Sequence, residues 1–324
     1  MKDMPKLNMV QAINLALREE MQRDKNIIIL GEDVGRNGGV FRVTEGLIDI
    51  FGPDRVIDTP LAESGIIGVA IGMAVYGLRP VAEIQFMGFI YPAIDQIFSH
   101  ASRIKSRSRG RFTCPLVIRT PYGAGIKAPE LHSESTEALF CHMPGIKVVV
   151  PSSPYYAKGL LTSSIRDPDP VIFLESTRLY RLLKEDVPEG EYTIPVGRAR
   201  IVQEGKELTI VSWGSMLHRT LQAIEGFDAE LIDLMTLRPL DEDTIIKSVR
   251  KTGRCIIVHE APKTGGFGAE ISALVAEKAI LYLRAPVIRV TGYDVVMPFP
   301  KLEDYYMPTI KRIKDAIEDI MRYK

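Results

Sequence analysis

At 324 residues the chain exceeds the roughly 250–300 residues over which a single hydrophobic core keeps growing, so two domains are expected. Its 46% hydrophobic and 25% charged content is that of an ordinary globular protein, and 41 basic residues balance 41 acidic ones. That neutrality removes any whole-chain electrostatic reason to bind nucleic acid or an anionic membrane, and the most apolar stretch, Gly65–Leu78, is too short and glycine-rich to span a bilayer.

Along the chain, Asn8 opens a helix: Gln11 sits three residues on, and Val10, Ile13, Leu17 and Met21 form one apolar face. Ile27–Leu30 is a short β-rich run. Further buried strands are predicted at Val81–Phe86, Leu116–Arg119, Lys147–Val150 and Val171–Leu174, with helices at Gly65–Tyr76, Ala93–Ile104 and Pro154–Ile165. Ser153 would cap the last of these, with Pro154 at its first position. This alternation predicts an α/β domain with a mostly parallel sheet flanked by helices, placed at residues 1–185. Charged, Pro/Gly-punctuated sequence follows and is read as a linker at 186–204. A second α/β domain, 205–324, is predicted from strands at Leu208–Trp213, Ala229–Leu234, Cys255–His259 and Pro286–Val290. Helices are expected around Leu217–Glu225 and Asp241–Arg250, from Phe267, and from about Pro308. The N-terminus carries charges and no signal-peptide core. Cys114, Cys141 and Cys255 lie far apart, without zinc or redox spacing, and are expected to be buried in a protein of the reducing cytoplasm.

Four segments carry candidate chemistry. Glu63, in Asp58-Thr-Pro-Leu-Ala-Glu63-Ser-Gly65, leads into an almost uncharged helix, where the dipole favours an anion; on its own it reads as a helix-end acid. Gly65, Gly68 and Gly72 put bare backbone on one side of that helix, which allows close approach of another helix within the domain or from a partner. Phe86, Phe89 and Tyr91 follow a strand, where aromatics either stack on a flat ligand or pack the core. His132 lies in a polar loop, suited to acid–base work or simply solvated. Asp167 and Asp169, in an Asp/Pro turn, offer oxygens to a hard cation or form a turn that needs none. Arg103–Arg111 holds five cations without interleaved aromatics and reads as a solvated or subunit-facing loop, not a nucleic-acid site. Thr264-Gly-Gly-Phe-Gly-Ala-Glu270 lacks the third glycine of the dinucleotide fingerprint.

Together these segments resemble the beta subunit of the thiamine-diphosphate-dependent 2-oxo acid dehydrogenases. The matches include Gly31-Glu-Asp-Val34, the Glu63 segment, Gly77-Leu-Arg-Pro80, Leu131-His-Ser133 and Pro144-Gly-Ile-Lys-Val-Val149. Ala157-Lys-Gly-Leu160, His259-Glu-Ala-Pro262 and Thr264-Gly-Gly-Phe267 extend them over nearly the whole chain. Ala82-Glu-Ile-Gln-Phe86, Pro92-Ala-Ile-Asp-Gln96 and Lys251-Thr-Gly-Arg254 are most similar to the branched-chain members, with the pyruvate-specific enzyme as the alternative.

The resemblance implies a pyrimidine-binding domain followed by a transketolase C-terminal-like domain. Glu63 is then the glutamate that hydrogen-bonds the aminopyrimidine ring nitrogen of thiamine diphosphate, and Phe89 the aromatic packed on that ring. His132 is the histidine that assists acyl transfer to lipoyl groups. Leu116, Ser164, Asp167 and Asp169 match positions that supply oxygens to a structural potassium ion, with Asp169 standing where relatives have Asn. No Gly-Asp-Gly occurs in the chain. Magnesium and the diphosphate are therefore assigned to an alpha subunit in an α2β2 heterotetramer, which serves a lipoyl acyltransferase core and takes a small 2-oxo acid substrate. A non-catalytic assembly subunit is the reading from a different class; the intact trio of Glu63, Phe89 and His132 speaks against it.

Overall fold

A capping box starts the first helix, Met9–Arg23: Asn8 Oδ1 accepts from Gln11 N and Gln11 Oε1 accepts from Asn8 N, both at 3.0 Å. The computed structural model describes residues 4–129 and 131–323. Beyond that helix, a seven-stranded sheet runs in the order Thr236–Arg238, Lys147–Val149, Val171–Ser176, Val117–Tyr122, Arg79–Glu83, Ile27–Gly31, Val56–Asp58. Every neighbouring pair is parallel except the first. Both faces are covered, so the strands read as apolar runs. Leu30, Ala82, Ile118 and Ile172 share a core with helix Glu63–Tyr76. Ile29, Val81, Val117 and Phe173 point the other way, into the core under helices Met9–Arg23 and Pro154–Arg166.

The second sheet runs Ile288–Gly292, Cys255–Pro262, Leu208–Ser212, Ala229–Asp233, Arg200–Gln203, parallel except at the last pair. Two strands cross the boundaries expected from sequence. Arg200–Gln203, inside the 186–204 segment, is the edge of the second sheet. Thr236–Arg238, inside 205–324, crosses back to close the edge of the first. Such short edge strands carry too few residues for a periodicity to show.

The helix expected over Ala93–Ile104 is broken into a 3-10 stretch at Met87–Ala93, a π turn at Gln96–Ala101 and a short α-helix at Ile104–Arg107. Pro92, which lacks an amide, lies in the first of these stretches and interrupts its ladder. Ser153 occupies the cap position of helix Pro154–Arg166 but makes no side-chain cap bond. The three cysteines are free and buried, as expected.

The two sheets share one core: Ile172 and Leu174 lie in the same apolar cluster as Val211, Trp213 and Ile257. Glu137 and Glu260 are among the carboxylates that project into this seam. Glu137, fully buried, accepts from Trp213 Nε1 at 3.3 Å. Glu260 accepts from Ala124 N at 3.0 Å and from Ser215 Oγ at 3.1 Å. Burial pushes both carboxyls up to about 7 from an ordinary value of 4.5. A carboxyl raised on folding contributes stability that is complete below its unfolded value and is lost as pH rises through the folded one. Unfolding free energy is therefore expected to fall across this window, from 4.5 to about 7, by on the order of 1–3 kcal/mol per group. Glu137→Gln should flatten that slope in urea titrations at several pH values; an unchanged slope would mean Glu137 ionises freely in the fold.

Candidate active site

Four parallel strands, Ile27–Gly31, Val56–Asp58, Arg79–Glu83 and Val117–Tyr122, point the same way, and the segments leaving their carboxyl ends carry the predicted residues. Glu32 follows the first strand. Glu63 follows the second, as the first residue of helix Glu63–Tyr76, half-buried. The N-cap residue Ala62 makes no side-chain cap bond, so the Glu63 carboxylate is the anion at that helix start. Burial, then the charges of Asp33 and Glu63, raise the carboxyl of Glu32, which places these three acids within electrostatic reach of one another.

Phe86 and Phe89 leave the third strand and His132 the loop after the fourth, and these rings meet. The His132 ring lies 4.4 Å from Phe86 and 5.0 Å from Phe89, centroid to centroid, the latter edge-on at 78°. Phe86 also stands edge-on to Phe41 at 5.5 Å, and Phe41 packs on Tyr180 at 4.9 Å. Gly88 allows the histidine loop to close: a Cβ there would overlap the Leu131 carbonyl oxygen and approach Leu131 Cβ to 2.8 Å. Leu131 itself takes a φ of 69°, a turn that delivers His132 onto the aromatics. Burial, and then the nearby charge of Glu134, pushes the Tyr91 hydroxyl up to about 12.

Beneath the aromatics lies a polar core that sequence reading missed. Arg119 donates Nε to Glu175 Oε1 at 2.7 Å, Nη2 to Glu175 Oε2 at 2.9 Å and Nη1 to Glu83 Oε2 at 2.8 Å, all buried. Tyr180 donates its hydroxyl to Glu175 Oε2 at 2.7 Å. Glu83 is raised, first by burial, with Arg119 opposing. Neither charge pattern nor spacing marks this set, because Glu83, Arg119 and Glu175 each sit in a buried strand and Tyr180 in the turn that follows one.

The turn assigned to potassium is already bonded. Lys147 Nζ lies 2.6 Å from Asp167 Oδ2, and Lys105 Nζ lies 2.8 Å from Asp169 Oδ1. The carbonyls of Leu116 and Ser164 accept from Val171 N at 2.9 Å and Asp167 N at 3.3 Å. Among the described residues no group of three His, Cys, Asp or Glu side chains could hold a metal. An ion at this turn would therefore draw on second lone pairs of main-chain carbonyls. A groove of about 1110 Å³ lies by this turn, lined by Lys147, Asp169, Arg238 and Phe267 among others. It faces the amino ends of the strands, away from Glu63, Phe89 and His132. The glycine-rich turn before helix Gly268–Ala279 makes room for a histidine, not a dinucleotide: Cβ atoms at Gly266 and Gly268 would each come within 2.7 Å of the His259 ring, which stacks on Trp213 at 5.0 Å. The basic side chains of Arg103–Arg111 are exposed, and no described helix is long and apolar enough to cross a membrane.

Residues 5–182 match the family described as "Transketolase, pyrimidine binding domain" and 197–313 match "Transketolase, C-terminal domain". The chain is 50% identical over 325 residues to the "Pyruvate dehydrogenase E1 component subunit beta" of Bacillus subtilis, covering 99% of this chain and 100% of that one. The subunit of the same name from Acholeplasma laidlawii is 48% identical over 321 residues, 98% of each chain. This chain belongs to the transketolase-like E1 beta subunits of the 2-oxo acid dehydrogenases. A solved "Split gene transketolase, inactive beta4 tetramer" has the same fold, with a TM-score of 0.78 at 22% identity over 99% of this chain and 100% of its own. The pyrimidine-binding domain of this E1 beta subunit thus holds Glu63, Phe89 and His132 at one end of its sheet. An acceptor at a helix start and a half-buried aromatic fit the two contacts that a pyrimidine ring requires. Gly88→Ala is expected to destabilise the protein by about 1–3 kcal/mol through overpacking against Leu131, read as a lower urea midpoint. A midpoint unchanged from wild type would show that the histidine loop does not rest on Gly88.

Proposed function

We propose that this chain provides the pyrimidine-activating and acyl-transferring half of a thiamine-diphosphate-dependent 2-oxo acid dehydrogenase, acting in an α2β2 heterotetramer. The observation that carries the reading is the convergence of Phe89 and His132, with rings 5.0 Å apart, on the segment against which Glu63's helix packs. That helix also supports an obligate partner. Its outer side is uncharged and open, with Val69 55% and Tyr76 88% exposed and open space around Gly72. Surfaces of this kind are typical of subunit contacts.

Bound thiamine diphosphate supplies the electron sink that a 2-oxo acid needs to lose carbon dioxide. Glu63 would hold the ring nitrogen of its pyrimidine by a hydrogen bond, fixing which tautomer the ring adopts. Phe89 would orient the ring by stacking. His132 would donate a proton to the sulfur released as a lipoyl dithiolane opens and its other sulfur takes the acyl group. Magnesium and the diphosphate would be held by the alpha subunit, and the lipoyl groups would come from the acyltransferase core.

For the substrate, full-length relatives named as pyruvate dehydrogenase subunits favour pyruvate over the branched-chain acids that local wording suggested. Co-expression with the alpha subunit, thiamine diphosphate and magnesium should give decarboxylation with an artificial electron acceptor, and this chain alone should give none. Glu63→Gln should lower the rate by about 100-fold or more. A rate unchanged by Glu63→Gln sinks its role, and faster turnover of 3-methyl-2-oxobutanoate than of pyruvate sinks the substrate assignment. For the potassium turn, exchanging potassium chloride for choline chloride should lower Tm by a few degrees, roughly the effect of 1 kcal/mol. An equal Tm in both salts would show that the turn takes no potassium.

A further inference from the structure

The loop that carries His132 is gripped from the other domain. It leaves strand Val117–Tyr122 at Gly123, whose φ of +79° and missing Cβ admit a carboxylate: a Cβ there would lie 2.6 Å from Glu260 Oε1. Glu260, on strand Cys255–Pro262 of the second domain, accepts from Ala124 N at 3.0 Å and is steadied by Ser215 Oγ at 3.1 Å. Three residues on, Lys127 N donates to Glu303 Oε2 at 3.1 Å, again from the second domain, while Lys127 Nζ pairs with Asp304 Oδ2 at 3.1 Å. The far end of the loop returns to the same point, where Gly123 N donates to the carbonyl of Glu134, two residues past His132, at 2.8 Å.

Buried carboxylates are costly unless a cation bonds them. Glu260 and Glu303 are 2% and 1% exposed, and among the described residues neither makes a direct ion pair. Glu303 Oε1 has no hydrogen-bond partner among the described residues. The fold carries this cost at two points of one loop, and what both carboxylates hold is that loop's backbone.

We propose that Glu260 and Glu303 are positioning residues that set the place of His132 from the second domain, so that this domain tunes acyl transfer as well as assembly. The inference rests on the acyl-transfer role given above to His132. Gln would keep a carbonyl oxygen able to accept the backbone N–H, so the clamp is tested with Met, which keeps side-chain length and volume but carries no oxygen acceptor, and the loop loses one anchor.

The test uses the assembled α2β2 enzyme with thiamine diphosphate and magnesium, carrying Glu260→Met, Glu303→Met or His132→Gln. Two rates are measured: decarboxylation with an artificial electron acceptor, and acylation of an isolated lipoyl domain. The clamp predicts that Glu260→Met and Glu303→Met keep the first rate within about twofold and slow the second about 10- to 100-fold, the scale of a 1 Å misplacement. Hydrogen exchange should also quicken across residues 123–135 without a matching change in helix Met9–Arg23. Equal loss of both rates would show a merely structural role and overturn the proposal. Slow transfer in His132→Gln with normal transfer in both clamp variants would overturn the clamp alone. Normal transfer in His132→Gln would remove the reading of His132 and this one with it. Should Glu260→Met fail to assemble, Glu303→Met alone decides by the same criteria.

Discussion

The buried guanidinium of Arg119 is the constraint on which the site end of this protein depends. Arg119 lies on the central strand directly opposite Glu83 in register, and it reaches Glu175 on the other neighbouring strand. One side chain thus ties three parallel strands together at the height where their carboxyl ends open into loops. The arrangement holds two carboxylates against one cation in the dry core, so desolvation is offset only because the Arg fork is bidentate to one and hydrogen-bonded to the other. Tyr180 completes it, and through Phe41 and Phe86 its ring leads by direct contact to His132. The aromatic platform is therefore set on polar bonds of fixed direction, which define position more sharply than apolar packing.

Given that foundation, close approach decides which loops can reach the site. Gly88 lets the Leu131 backbone lie against the aromatic segment, and Gly123 lets a carboxylate from the second sheet lie against the loop's start. Both are places where any side chain would displace backbone or a buried charge, and together they locate His132 between two domains. The domain seam is consequently part of the site's construction. Its ionisable residues, Glu137 and Glu260, are raised by the burial that makes the seam rigid.

Much of this was legible in the sequence, for identifiable reasons. The helix at Met9–Arg23 showed its capping box, and buried parallel strands such as Val171–Ser176 showed as apolar runs. Glu63, Phe89 and His132 were visible through the order of long motifs, and their separate placement after parallel strands brings Phe89 and His132 into contact. What stayed hidden was set by tertiary geometry. Arg119 reads as the end of a strand until Glu83 and Glu175 flank it. Thr236–Arg238 reads as part of a second domain until it pairs with Lys147–Val149. Pro92 marks the first irregular stretch after Phe89, whereas the π turn at Gln96–Ala101 has no counterpart in the sequence pattern.

The branched-chain wording is weak evidence about substrate for a physical reason. Within Ala82–Phe86, Ala82 and Ile84 are core residues and Glu83 belongs to the Arg119 network. Lys251–Arg254 lies in the second domain: Lys251 pairs with Glu230, Thr252 bonds Thr209, Gly253 closes a helix at a φ of 72°, and Arg254 bonds the Tyr323 carbonyl at 2.7 Å. Each of these side chains answers to packing, a helix end or a salt bridge, none of which a 2-oxo acid would touch. Phe86 alone approaches the histidine, and an aromatic ring is as compatible with a methyl group as with an isopropyl one. Discrimination between such substrates rests on the volume of a closed pocket, where one extra methylene is worth about 1–3 kcal/mol. In the heterotetramer proposed above, the open, uncharged side of helix Glu63–Tyr76 would meet another chain, and substrate choice would then be a property of the assembled interface.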